Sequence, residues 1–192
     1  MKRRPLTELV HELLAPLIRP GDVAVDATAG NGHDTLFLAQ RVGPRGRVYA
    51  MDIQSRALEH TRKRLQAAGV LSRVALTAAD HASLVRVLGH ELQGRVRAVT
   101  FNLGYLPGGD RGPVTSAAST IPALRQATTL LAPGGRITVL AYVGHSGSRL
   151  EASAVEEWAN SLGEPFAARE VRPPGTPEQS PRLFIIDRRQ SR

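Results

Sequence analysis

The run "DVAVDATAGNGHDT", Asp22 to Thr35, holds a short apolar segment, an acid, a turn bearing Gly30 and Gly32, and the start of a helix. Buried strands feeding a glycine turn and then a helix are the opening of an α/β unit. The rest of the chain repeats the pattern. "HDTLFLAQRVG" is helical and stops at Gly43-Pro44, "GRVYAMDI" reads as a strand, and "SRALEHTRKRLQAAG" as an amphipathic helix with Ser55 as its cap and Gly69 as its stop. "SRVALTAAD", "RAVTFNLG" and "RITVLAYV" are further strands, separated by a helix over "ASLVRVLGHEL" and another from about Thr120 to Leu131. After the helical "RLEASAVEEWANSLG" come "FAAREVRP" and "PRLFIIDRR" with no helix between them, which predicts an antiparallel pair at one edge. Upstream, "TELVHELLAPLI" has helical spacing with Thr7 as its cap. The expectation is an α/β fold: a mostly parallel seven-stranded sheet, helices on both faces, an antiparallel C-terminal edge hairpin.

A length of 192 residues is that of one domain, taken as 1–192 with a helical segment over 1–20 packed on it. No apolar run approaches the roughly 18 residues of a membrane-spanning helix, and acids interrupt the N-terminal apolar positions, so neither an anchor nor a secretory leader is expected. Cysteine is absent, which excludes disulfides and thiolate metal sites. The expected compartment is the cytoplasm. The net charge of +8 is compatible with a nucleic-acid partner. It is also what an arginine-favouring composition produces, since only Lys2 and Lys63 are lysines and the basic residues are spread along the chain.

Sheets of this kind bind ligands beyond the carboxyl ends of their strands, and the unusual polar residues fall there. Asp26 ends the first strand, and Gly30 and Gly32 allow close backbone approach. Thr35 stands where a dinucleotide fingerprint needs its third glycine, so the loop suits a ligand without a pyrophosphate. Asp52 follows Gly32 by twenty residues, the spacing of an acid that accepts hydrogen bonds from a ribose diol. Together they imply an adenosine-containing ligand, although an Asp at a strand end also serves as a helix cap. Asp80 can accept from an adenine amino group or cap the following helix, and His81 lines the same edge. His33, His81 and His145 share the rim but lack helical spacing or carboxylate partners for a metal, so no metal is expected.

The fourth strand leaves through "FNLGYLPGGD", Phe101 to Asp110. An Asn102 carbonyl can accept N–H bonds from an amine and aim its lone pair at an electrophile. Tyr105 can stack on the base that carries the amine. Asn and Gly also close ordinary β-turns, with the tyrosine in the core.

With these residues assembled, the chain resembles the class I S-adenosylmethionine-dependent methyltransferases, whose fold is Rossmann-like. "NLGY" is similar to the Asn-Pro-Pro-Tyr motif of amino-group methyltransferases, with Leu103-Gly104 replacing the prolines. "VDATAGNGHDTLFLA", "DIQ", "FNLGYLPGGD" and "YVGHSG", from about Val25 to Gly147, resemble the rRNA methylase family, now understood as tRNA 5-aminomethyl-2-thiouridine methyltransferases. The resemblance implies S-adenosylmethionine as cofactor and methylation of the aminomethyl group on the wobble uridine in the tRNA anticodon loop. It implies that Gly30, Asn31, Gly32, His33, Asp34 and Thr35 wrap the methionine end, with Asp26 at the base of that loop. Asp52 would hold the ribose, Ile53 and Gln54 would flank the adenine, and Asp80 and His81 would close over it. Asn102 and Tyr105 would face the amine, with Leu103, Gly104, Gly108, Gly109, Asp110 and His145 forming the nucleotide pocket. Asp34, Asp110 or a rim histidine would take the amine's proton.

Two departures stand out. The family usually has cysteine where Ala29 stands, and an Asn-Gln run before the last strand is reduced here to Gln179 and Pro181. A single domain offers limited surface to a tRNA, so a homodimer is expected. The readings held open beside this one are a methyltransferase acting on rRNA or a small amine, and a non-catalytic nucleotide-binding module.

Overall fold

The computed structural model describes residues 5–104, 115–143, 147–174, 176–177 and 179–190. Seven strands form one sheet: β1 (Val23–Asp26), β2 (Arg47–Asp52), β3 (Val74–Ala78), β4 (Val96–Leu103), β5 (Leu131–Ala141), β6 (Phe166–Val171) and β7 (Arg182–Arg188). Their order is β3-β2-β1-β4-β5-β7-β6. The first five strands are mutually parallel, and β7 runs antiparallel to both β5 and β6. The chain winds outward from β1 to β3, then returns to place β4 on the other side of β1. The loops leaving β1 and β4 therefore diverge to opposite faces and open a crevice between them.

Each strand divides its apolar side chains between two layers, as period-2 geometry requires. Val25, Val99, Phe101, Val139 and Ile186 pack with α4 (Leu84–Leu88), α5 (Ala117–Leu130) and α6 (Ser148–Asn160). Ala24, Val48, Ala50, Ala98 and Ile185 face α1 (Leu6–Leu14), α2 (His33–Val42) and α3 (Ser55–Ala67). The N-terminal helix is part of this second layer. Val10, Leu14 and Ile18 are buried in it, and Arg136 Nη1 on β5 donates to the Leu13 carbonyl at 2.8 Å. Burying a leucine such as Leu14 contributes about 1.5–3 kcal/mol, so α1 is docked firmly. Among the described residues, no helix is long and apolar enough to cross a membrane.

Three local expectations change. Thr7 lies inside α1, whose cap position is Pro5, and Ser55 is the first residue of α3, with Gln54 at the cap. The helix expected over "ASLVRVLGHEL" is split at Gly89, whose φ of +93° departs from helical geometry, into α4 and flanking 3₁₀ turns. β5 begins at Leu131, ahead of the Pro-Gly-Gly turn, because Leu131 already aligns with Val96 of β4.

Candidate functional site

A cleft of about 550 Å³ opens at the carboxyl ends of the parallel strands, in the size range of sites for cofactor-sized ligands. One wall is the loop after β1. Gly30 N–H donates to Asp52 Oδ2 at 2.9 Å, while its carbonyl accepts from Thr61 Oγ1 at 3.0 Å. Arg64 Nε donates to the Asn31 carbonyl at 2.8 Å. Glycine is needed at position 32: φ is +77°, and a Cβ there would stand 2.8 Å from both Thr61 Cα and Oγ1. The loop is thus clamped between β2 and α3 before any ligand arrives.

Asp52 reaches the cleft with Oδ2 on Gly30 N and Oδ1 on Gln54 N, at 2.9 Å each. Each oxygen keeps a second lone pair, as a vicinal diol requires. Beside it Ile53 is 53% exposed, an apolar face on the cleft wall that a ligand ring would cover. Asp80 lines the same end, and its Oδ1 also accepts from Ala82 N–H at 2.8 Å, so lining and capping coexist. His81 is buried beneath, edge-on to Phe101 and 3.4 Å from Thr120 Oγ1. Thr120 in turn donates to the buried Glu151 at 2.7 Å. Burial pushes the His81 imidazole below its usual range, which keeps it neutral.

Asp26, Gly32 and Thr35 lie behind the wall rather than on it. Asp26 is fully buried, accepting from Thr35 Oγ1 at 2.5 Å and Thr28 N–H at 3.2 Å. Burial, and next the charge of Asp34, push its carboxyl up to about 7 against those two hydrogen bonds. Its place in the fold is the foundation of the loop.

The far wall is β4. Asn102 N–H donates to Thr28 Oγ1 at 2.7 Å, tying β4 to the β1 loop. The Asn102 side chain turns its Nδ2 toward Asp34 Oδ2 at 3.4 Å, as it must, because a carboxylate only accepts. Asn102 Oδ1 is then buried with no hydrogen-bond partner among the described residues. Leu103 and Gly104 continue the wall. Tyr105, Gly108, Gly109, Asp110 and His145 lie outside the described residues.

The helix α1 supplies a side of the cleft that the sequence reading did not assign. Thr7, Glu8 and His11 line it, and His11 Nε2 sits 2.6 Å from Asp34 Oδ1. Tyr142, just past β5, is a further unassigned wall residue. His33 faces a different neighbour: Arg64 Nη2 lies 3.1 Å from its Nε2. The ring nitrogen accepts there, and burial, then the guanidinium, lower its basicity. Among the described residues there is no group of three or more acids and histidines arranged to hold a metal ion.

Comparison with known proteins places this geometry in context. The family model described as "Putative rRNA methylase" matches residues 48–187. A tRNA (mnm5s2U34)-methyltransferase, chloroplastic, from Arabidopsis thaliana is 40% identical over 168 residues, covering 83% of this chain; the chain spans 61% of that relative's length. A solved structure described as a "putative rRNA-methylase" from Clostridium thermocellum is 34% identical with a TM-score of 0.89, covering 97% of this chain and 99% of the other. A structure described as a "putative methyltransferase" from Streptococcus mutans, in complex with SAH, is 31% identical with a TM-score of 0.83, again covering 97% and 99%.

Proposed function

Because the chain belongs to the rRNA methylase family, we propose that it is an S-adenosylmethionine-dependent methyltransferase acting on an RNA amine. The amine is the aminomethyl group of a wobble 5-aminomethyl-(2-thio)uridine in the tRNA anticodon loop. The observation that carries this reading is Asn102 Oδ1, a buried acceptor at the cleft wall with no donor among the described residues. An unpaired acceptor is costly unless a ligand supplies the N–H. The same position in a binding-only module would gain nothing from it. The substrate's identity is supported by the Arabidopsis thaliana relative, a tRNA (mnm5s2U34)-methyltransferase.

The wall fits the cofactor. Asp52 keeps lone pairs for the ribose hydroxyls, Ile53 offers an apolar face to the base, and the clamped backbone of residues 30–34 faces the methionine end. When bound, S-adenosylmethionine supplies a sulfonium methyl as the electrophile. This chain's part is proximity and alignment, worth up to about 7–11 kcal/mol in favourable cases. Asn102, turned so that Oδ1 opens onto the cleft it lines, would accept one amine N–H and fix the lone pair's direction. The amine must also be neutral, and Asp34, beside Asn102, is the carboxylate placed to accept its proton. The roles of Tyr105, Asp110 and His145 toward the base rest on the family resemblance.

The test uses methyl-labelled S-adenosylmethionine with two tRNA preparations, one bearing 5-aminomethyl-2-thiouridine at the wobble position and one an unmodified transcript. Label is expected only in the first, as methylaminomethyl-thiouridine after digestion. Label in the unmodified transcript as well, or in neither preparation with SAH binding intact, would overturn the substrate.

A further inference from the structure

We infer that His11 of the N-terminal helix is a positioning residue for proton removal, holding Asp34 so that its second oxygen faces the substrate ammonium beside Asn102. The inference rests on the amine-methylating reading above and adds to it a helix that lies outside the glycine loop and the strand ends.

The geometry is specific. His11 Nε2 meets Asp34 Oδ1 at 2.6 Å, slightly inside the span of about 2.7–2.9 Å usual for a charge-assisted N–H···O bond. The imidazole lies flat on Phe37, ring centroids 4.1 Å apart and planes 4° from parallel, so α2 fixes its orientation. With Oδ1 taken, Asp34 presents Oδ2, which is 3.4 Å from Asn102 Nδ2. All three side chains are on the cleft wall. The core contacts of Val10 and Leu14, together with the Arg136 bond to the Leu13 carbonyl, hold α1 in that position.

Three other described candidates for the proton are occupied differently. His33 accepts from Arg64, and Asp26 is buried behind the wall on Thr28 and Thr35. Asp52 holds two backbone N–H groups and faces the ribose end.

The substrate arrives as R–CH2–NH3+, and one N–H proton passes to Asp34 Oδ2. The freed lone pair forms the new N–C bond while the C–S bond breaks and its electron pair stays on sulfur. The product leaves as the secondary ammonium, and the proton on Asp34 returns to solvent. The charged groups around the His11–Asp34 pair are Glu8 on α1, which lines the same cleft, His33 on α2 and Asp26 at the end of β1. All are retained in the variants below, so a change in pH slope reports the pair itself.

The experiment measures kcat/KM for methyl transfer to 5-aminomethyl-2-thiouridine tRNA between pH 6.5 and 9, for wild type, His11→Ala and His11→Gln, with SAH affinity as a control. A primary amine is mostly protonated near neutrality and less so as pH rises. His11→Ala is expected to lose about 10²-fold at pH 7, the lower range of general acid–base effects. The gap should shrink several-fold by pH 9, with SAH affinity within about twofold on the same grounds. His11→Gln, which can still donate to Asp34, should recover much of the loss. An equal loss at every pH, or none, overturns the inference while leaving the methyltransferase reading intact. Failure of the wild type to methylate this tRNA overturns both. Should the variants not fold, the His11 ¹⁵N resonances of the wild-type protein with SAH decide. Movement on adding 5-aminomethyluridine supports the inference, and no movement overturns it.

Discussion

At the carboxyl ends of β1 and β2, Asp26 stands close enough to Asp34 and Asp52 to feel their charge, whereas along the β5–β7–β6 edge Asp187 and Glu170 meet arginines. Asp187 on β7 accepts from Arg136 and Arg169 at 2.6 Å each. Arg182 bridges Glu156 on α6 at 2.7 Å and Glu170 on β6 at 2.6 Å. The two regions move acids of one type in opposite directions. Burial raises Asp26, with Asp34 adding to it. Burial raises Asp187 as well, but the hydrogen bonds from Arg136 and Arg169 outweigh it and leave the carboxyl below its usual range. The edge spends its charges on holding strands together. The cleft keeps crowded acids and an unpaired amide oxygen, a cost to stability tolerated where a cationic ligand is to be met.

The largest effect is expected at Asn102. Asn102→Ala removes the unpaired acceptor, so turnover on the aminomethyl tRNA should fall about 10²-fold or more, the scale of one preorganised polar partner. SAH affinity measured by calorimetry should stay within a few-fold by the same argument. Unchanged turnover would mean that the cleft's unsatisfied polarity serves nothing. Next in size is the clamp under the loop. Gly32→Ala must move the Thr61 backbone and hold alanine at a left-handed φ. It should cost about 2 kcal/mol, or about 4–8 °C in Tm by thermal melting. An equivalent substitution at Gly163, where nothing lies within 4 Å, should leave Tm nearly unchanged.

The sheet, the edge hairpin and the polar residues at strand ends were legible because alternating segments and glycine stops are local signals. Asn102 and Asp52 could be found for the same reason: each is a polar residue at the end of an apolar run. His11 could not. Its 23-residue separation from Asp34 is bridged only when α1 docks, and in the sequence it reads as one position of an amphipathic stripe. A histidine inside that stripe was the available signal. Asp26 shows the converse. Its strand-end position reads as a ligand contact, yet the Thr35 hydroxyl and the Thr28 amide enclose it behind the wall. Side-chain enclosure depends on the path of the loop, which glycine spacing does not specify.

The smallest effects sharpen the contrast through pH. Asp26 holds its proton more tightly when folded, with the carboxyl raised from 3.8 to about 7. Wild-type stability should therefore fall across that window as pH rises, since the folded state binds more protons than the unfolded one. Asp26→Asn keeps an acceptor for Thr28 N–H and carries no charge. It should match the wild type near pH 3, below both values, and exceed it increasingly from there to pH 8, by at least about 1 kcal/mol, or about 2–4 °C in Tm. Asp187 has the opposite sign. Its folded carboxyl is depressed, so its contribution is present above the usual carboxylate range and lost as pH falls through its folded value. Asp187→Asn should lose about 1 kcal/mol at pH 7, with the deficit closing only in strong acid. Melting curves of the two variants against wild type at pH 3, 5 and 8 test both signs at once. Parallel curves would mean that cleft and edge hold their acids alike, and the functional reading of the crowded end would lose its electrostatic support.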